Sequence, residues 1–507
     1  MKGTPINLST DPSTEVDFSY ASSVVCSGTT YNLVSVDNTS PLTSGASGSD
    51  ISVSAHYASN ISVTVNTSPS GRSFTVDSTL YTTSQTFNWV PGSNHTIETT
   101  SPQAGATGTQ YAWSTWSDGG AISHTVAPTV ATTYTANFKT QYQLTLAVNP
   151  SIPGGTGNIA GGTTGTYYDL GTVLNLTAGT NVADGTGRQW RFDHWNGDAT
   201  GSTNPASVSM SAPRSVTANY IAQYQLTLAV SPAIPGGNGN ITGTTSGNFY
   251  DTGTSLTLTA ATPVADGVGK RWRFDTWTGG ATGNTNPVTF SITSAVTVTA
   301  NYIAQYQLTL AVSPSIPNGI GNITGATSGN FYDSGTSLTL TAATPVADGV
   351  GKQWRFNTWT GGATGNANPV TFSLTSAVTV TANYMAQYQL TLAITPGVPN
   401  GLSNLSGGTN AQYYDSGTIL SLAAATPVAG TTGTQWRFSK WSVDGTDSST
   451  NPVSVTMSAP HSATAGYVQQ FQLTLAINPN PPLTLAYISG GTNGTYYDAG
   501  TILREWK

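Results

Sequence analysis

The segment Gln141-Tyr142-Gln143-Leu144-Thr145-Leu146-Ala147-Val148 decides the fold. Tyr142, Leu144, Leu146 and Val148 alternate with Gln143, Thr145 and Ala147, the period-2 pattern of a strand with one buried face. The octet returns at Gln223, Gln305 and Gln387, 82 residues apart each time, and as QFQLTLAI from Gln470 after one inserted residue. Between octets the order is constant: a Pro/Gly loop, YYD or FYD followed by Gly-Thr, an LTLTA-like strand, a WRFxxW strand, Asn-Pro, and two strands ending in TANY. Alternation in Leu256–Ala260 and Val216–Tyr220 brings the expectation to about six short strands per copy, separated by Asn, Gly, Asp and Pro. No segment sustains a 3.6-residue period.

A more distant copy runs from about Ile61 to Lys139. There Gln110-Tyr111-Ala112-Trp113-Ser114-Thr115-Trp116 stands in the place of Gln189-Trp190-Arg191-Phe192-Asp193-His194-Trp195, and Thr135-Ala136-Asn137-Phe138 in the place of TANY. The chain accordingly divides into an irregular or β segment over 1–60, read as a linker or the tail of an upstream domain, and a divergent repeat over 61–140. Full repeats follow over 141–222, 223–304, 305–386 and 387–469, then a truncated one over 470–507. The join is only Ile221-Ala222-Gln223, which leaves no room for a flexible linker. The expected architecture is mainly β, a tandem array of small β-rich units. With each unit roughly 25–30 Å across, five in line form an elongated, monomeric rod of about 130–150 Å.

Composition agrees. Charged residues are 7% of the 507, and 56 Gly accompany abundant Thr, Ser and Asn, a composition suited to strands and turns rather than helices. A net charge of −7 with 15 Lys and Arg leaves no basic stripe for phosphates, which argues against nucleic acid. The single cysteine, Cys26, excludes an intramolecular disulfide framework and any CxxC metal or redox motif. No stretch reaches transmembrane length. Met1–Thr10 has one Lys and no apolar run, so a secretory signal is not present in this frame; if the protein is exported, the frame has lost its signal or begins inside a longer gene, and a last copy that stops partway supports the second reading. At the far end Leu503-Arg504-Glu505-Trp506-Lys507 breaks the alternation of LTLTA, so the last unit is expected not to close its sheet.

WRFxxWxGxxxGxxNP, the closing SVTANY and the opening YQLTLxVxP resemble the divergent internalin-type B-repeat family of bacterial extracellular proteins, over roughly residues 61–507. The resemblance implies a small β-rich module, β-grasp-like or a small sandwich, used in tandem as a spacer or adhesion element of surface or secreted proteins. It brings no catalytic residues. The divergent copy departs most, having Ala112 for the Arg and no Asn-Pro.

Trp190 and Phe192 lie two apart and share a strand face. Burying 150–250 Å² per ring makes the pair worth on the order of 8–10 kcal/mol gross, comparable to the whole net stability of such a unit, so they belong to the core. The same holds for Trp272 and Phe274, Trp354 and Phe356, and Trp436 and Phe438. Trp195, Trp277, Trp359 and Trp441 fall on the other parity unless a bulge intervenes, and are the candidate ligand-contact residues. Arg191, Arg273, Arg355 and Arg437 face away from the rings as solvated or cation–π arginines. Asp169, Asp251, Asp333, Asp415 and Asp498 each stand two residues before Gly, the pattern of an Asx turn. A second recurrent carboxylate, Asp184, Asp266 and Asp348, becomes Gly430 in the fourth full copy, too few oxygens for calcium.

The copies beginning at Gln223 and Gln305 differ at 10 of 82 positions, and one difference turns Asp275 into Asn357, which a general acid or base would not survive. His56, His95, His124, His194 and His461 share no repeat position. Lysine recurs only at Lys270 and Lys352, with Arg188 and Thr434 elsewhere. We therefore expect no catalytic, metal or cofactor site, and a stalk, spacer or adhesin shaft at a cell surface or outside the cell. Surface glycans or other cell-surface proteins are the partners considered. The alternatives are a multivalent glycan-binding array and the accessory region of a secreted hydrolase.

Overall fold

The computed structural model describes residues 15–16, 19–37, 42–43, 54–476 and 490–504. Strands dominate, and no α-helix lies among the described residues. The alternating octet forms a strand as expected, but the strand does not end where the repeat does. Thr132–Asn149, Arg214–Ser231, Val296–Ser313 and Val378–Thr395 are each one 18-residue strand. In each, the N-terminal half closes one copy and the C-terminal half opens the next.

In the copy 141–222, residues 144–149 of the opening half run parallel to residues 214–219 of the closing half, residue against residue. Arg188–Gly197, the WRFxxW strand, lies antiparallel along the other side of the closing half. A second, three-stranded sheet of Ile159–Ala160, Val173–Ala178 and Ala206–Ser209 covers the first. The core lies between the two: Leu144, Leu146, Val216, Ala218 and Phe192 from one sheet meet Leu174, Leu176 and Val208 from the other. Of the two expected architectures this layering is the small sandwich. One 3₁₀ turn, Gly155–Asn158, links the sheets, and Asn158 holds it by donating to the carbonyls of Pro153 and Gly155.

The Asn-Pro motif also has a structural task. Asn204 Nδ2 donates to the carbonyl of Ala178 while its Oδ1 accepts from the amide of Ala178, satisfying both groups at the end of the LNLTA strand. Asn286, Asn368 and Asn451 do the same for Ala260, Ala342 and Ala424. The residue inserted in the fourth copy falls between Trp441 and Asn451, where Thr446–Ser448 adds a short strand against Trp441–Val443.

The chain divides into two compact units, one of 1–227 with 247–256 and 291–296, the other of 228–246, 257–290 and 297–507. In the second unit, 308–313 pair parallel with 378–383, and 390–395 with 461–466. In the first, the divergent copy pairs 63–68 with 132–137 in the same sense. Ahead of it, Ser23–Cys26, Thr29–Val36 and Ala55–Ser59 form a three-stranded sheet in which no described residue is buried. The remaining parts of 1–60, and 477–489 and 505–507 of the truncated repeat, lie outside the described residues.

Candidate functional site

The recurring polar chemistry of this chain gathers where one copy passes into the next. Gln223 sits at the middle of Arg214–Ser231, flanked by Gln189 of the WRFxxW strand on one side and Asp251 of the following copy's Tyr-Asp strand on the other. Arg191 reaches over the same strand. Its Nε and Nη2 donate to the two carboxylate oxygens of Asp251 at 3.1 and 2.8 Å, while Nη1 donates to the carbonyl of Phe192. The Gln223 side-chain amide completes the set: its Nε2 donates to Asp251 Oδ1 at 2.8 Å, and its Oε1 accepts from Gln189 Nε2 at 2.8 Å. The result is a clasp in which one carboxylate accepts from three donors on two neighbouring strands.

The clasp recurs as Arg273, Gln305 and Asp333, as Arg355, Gln387 and Asp415, and as Arg437, Gln470 and Asp498. The last of these uses the truncated repeat, whose Tyr496–Asp498 pairs with Gln470–Gln472. Arginine suits the task because its planar fork matches both carboxylate oxygens. Each of these aspartates titrates below the ordinary carboxylate range, chiefly through the arginine hydrogen bond, with partial burial opposing and the glutamine helping. For Asp498 the order is the arginine, then the glutamine.

Where the divergent copy has Ala112 in place of the arginine, the joint is not lost. Lys139, directly opposite Ala112 in register, donates to Asp169 at 2.8 Å, and Gln141 donates to the same carboxylate at 2.7 Å. In the regular copy the residue opposite Arg191 is Ile221.

A second contact accompanies every clasp but the last, where Gly433 has nothing within 4 Å. The hairpin tip before the WRFxxW strand meets a bend of the next copy: a Cβ on Gly187 would stand 2.8 Å from that of Ala295, and one on Gly269 2.7 Å from that of Ala377. Gly108 and Gly351 approach Pro213 and Pro460 in the same way, and all four glycines have positive φ. Both the backbone conformation and the space therefore demand glycine.

These positions correct two expectations. The aspartates are not Asx caps: it is the carbonyl of Asp251 that accepts from the Thr254 amide and hydroxyl, and the carboxylate goes to the clasp. The arginines do face away from the rings and stay partly solvated, but each is also paired across the joint. Cation–π contacts are made by other residues, Arg188 over Trp190, Lys270 over Trp272 and Lys352 over Trp354. In those three hairpins the indole N–H also donates to Asp184, Asp266 or Asp348, which pairs with the same cation. The fourth copy has lost both charged members together, as Gly430 and Thr434.

The candidate ligand-contact residues Trp195, Trp277, Trp359 and Trp441 are at most 1% exposed, so none is available to a ligand at the surface. The reason is a β-bulge. The register slips between Phe192 and His194, and again between Phe274 and Thr276, Phe356 and Thr358, and Phe438 and Lys440. One extra residue switches parity and turns Trp195 and its counterparts inward. Trp195 then packs 5.0 Å from the Phe192 ring and donates to the carbonyl of Thr203.

Among the described residues no group of three His, Cys, Asp or Glu is placed to hold a metal ion. Each histidine instead contacts a separate aspartate, His56 with Asp37, His95 with Asp77, His124 with Asp118, His194 with Asp193 and His461 with Asp444. No helix among the described residues is long and apolar enough to cross a membrane.

A family model described as the divergent InlB B-repeat domain matches residues 144–223, 227–305, 309–387 and 395–470, more than half of the chain. The chain belongs to the divergent InlB B-repeat family. Its B-repeats place it among repeat-type proteins of a family that is typically extracellular. No curated protein matches the chain. Three of the matched segments begin inside the opening octet and the fourth just after it, and all four end on the following Gln, so each B-repeat as matched contains the WRFxxW arginine and reaches the glutamine of the next joint. The clasp as a unit was not visible in sequence, since Arg191 and Asp251 are 60 residues apart. A signal was nevertheless present: in a chain only 7% charged, these two residue types recur in every full copy.

Proposed function

We propose that this chain is a non-catalytic structural element of an extracellular protein, a stalk or spacer that holds other parts of its molecule at a distance. One observation carries the reading: successive B-repeats are joined through continuous strands rather than linkers, each joint is braced by a clasp, and every described joint but the last also has a hairpin-tip contact. Repetition then serves length, because each added copy reproduces the same joint. A glycan array would need Trp195, Trp277, Trp359 and Trp441 at the surface, and all four are buried.

The test is a deletion of residues 305–386, which joins Ala304 to Gln387 and recreates a native junction. Small-angle scattering of the full chain and the deletion should show the maximum dimension shortened by about 25–30 Å, one unit diameter. An unchanged maximum dimension would remove the spacer reading.

A further inference from the structure

We propose that each B-repeat is a mechanical clamp that resists tension applied along the chain. The inference rests on the spacer reading only in that tension must enter and leave a copy through its ends.

The geometry is the parallel pairing of opening and closing strands. In the copy 305–386, residues 308–313 pair in register with 378–383; in 387–469, residues 390–395 pair with 461–466; in 141–222, residues 144–149 pair with 214–219. Tension enters at the N-terminal end of the opening strand and leaves at the C-terminal end of the closing strand. In a parallel pair those ends lie at opposite ends of the ladder, so the pull runs along the strand axes and loads all the hydrogen bonds together. An antiparallel closure would bring the loaded ends side by side, and the bonds would open one after another.

Three further features fit this loading. The amides of Leu308 and Leu310 are committed to Asn330 O and Ser328 Oγ, so the alternating amides of Thr309 and Ala311 face the partner strand. Leu308, Leu310, Val380 and Ala382 are buried, which keeps water from one face of the ladder as it strains. Finally, Val378–Thr395 continues from the closing half of one clamp into the opening half of the next, with Gln387 held between Gln353 and Asp415 at its middle. Tension therefore passes from clamp to clamp without slack to take up.

The experiment is single-molecule stretching of the full chain carrying Cys26→Ser and tethered at its two ends. Successive copies should rupture in discrete steps, each releasing roughly 250–290 Å for an 82-residue period at about 3.5 Å per extended residue. In a second geometry, cysteines placed by Ala311→Cys and Thr381→Cys, which are register partners, pull the same ladder sideways. The sideways force should be at least roughly twofold lower, because forced unfolding follows the barrier to opening and not overall stability. Equal forces in the two geometries overturn the clamp.

Ala311→Pro removes one ladder amide in one copy only, leaving the other copies as internal standards in the same trace. Its step should fall to a lower force while the others hold; an unchanged step overturns the proposal, and where that copy fails to fold the sideways geometry decides. Scattering keeps the two readings separate: an extended chain whose copies yield at equal force in both directions leaves the spacer standing and removes the clamp.

Discussion

The joint after the divergent copy and the joints after the regular copies reach the same clasp from opposite strands. In the regular joints the cation projects from the WRFxxW strand, as Arg191, Arg273, Arg355 or Arg437. In the divergent joint that position is Ala112 and the cation is Lys139, its cross-strand neighbour. The carboxylate and the glutamine do not move. The fixed element is thus the acceptor, Asp169 or Asp251, and both the strand paired with it and the WRFxxW strand beyond that one are close enough to supply the charge. The joint is defined by what the next copy presents, which makes the contact directional.

The strongest way to sharpen this comparison is to set the joint against the core it connects. Trp359→Ala removes a fully buried indole and should cost about 3–5 kcal/mol, enough to unfold that copy; urea denaturation followed by tryptophan fluorescence and circular dichroism measures it. Next in size is Gly269→Ala, where positive φ and the 2.7 Å approach to Ala377 act together, at about 2–3 kcal/mol. Its control is Gly433→Ala, at the corresponding hairpin tip with φ +81 and nothing within 4 Å, which should cost only about 1 kcal/mol. Equal losses at the two glycines would mean that the tip does not bear on the next copy.

Smaller effects test the clasp itself. Arg273 and Asp333 are more than a third exposed, so solvent screens the pair and Arg273→Ala should lower stability by about 1 kcal/mol at most. The pH dependence follows from the depressed aspartate. A carboxylate titrating lower in the folded than in the unfolded state contributes its full stabilisation above about pH 4 and loses it as pH falls through the folded value. Acid titration of the denaturation midpoint should show that loss in the unaltered chain and a weaker one in Asp333→Asn. The smallest effect is expected from Ala112→Arg with Lys139→Ile, which rebuilds a regular joint in the divergent copy and should leave stability within about 0.5 kcal/mol. Either single change alone should disturb it more, Lys139→Ile by removing the only cation, and a simple sum of the two would refute the exchange.

The four hairpins make a parallel comparison. Arg188, Lys270 and Lys352 sit between an indole face and an aspartate, and in the fourth copy cation and carboxylate disappear as a pair, leaving Trp436 without either. A lone Asp or Lys there would have lost its main partner, so their joint replacement by Gly430 and Thr434 is the chemically consistent outcome.

What the amino-acid sequence determined alone was everything set by near neighbours: the 82-residue period, the strand alternation of the octet, the inward Phe192 and its repeats, and the absence of sustained helical pattern. Tertiary structure alone decided the rest. It placed the bulge that carries Trp195 inward, ran one strand through two copies, and set Arg191 on Asp251 across 60 residues of chain. Alternation is a property of one strand, whereas parity after a bulge and the choice of partner depend on the register between strands, and register is fixed only when both faces of the sheet have found their packing.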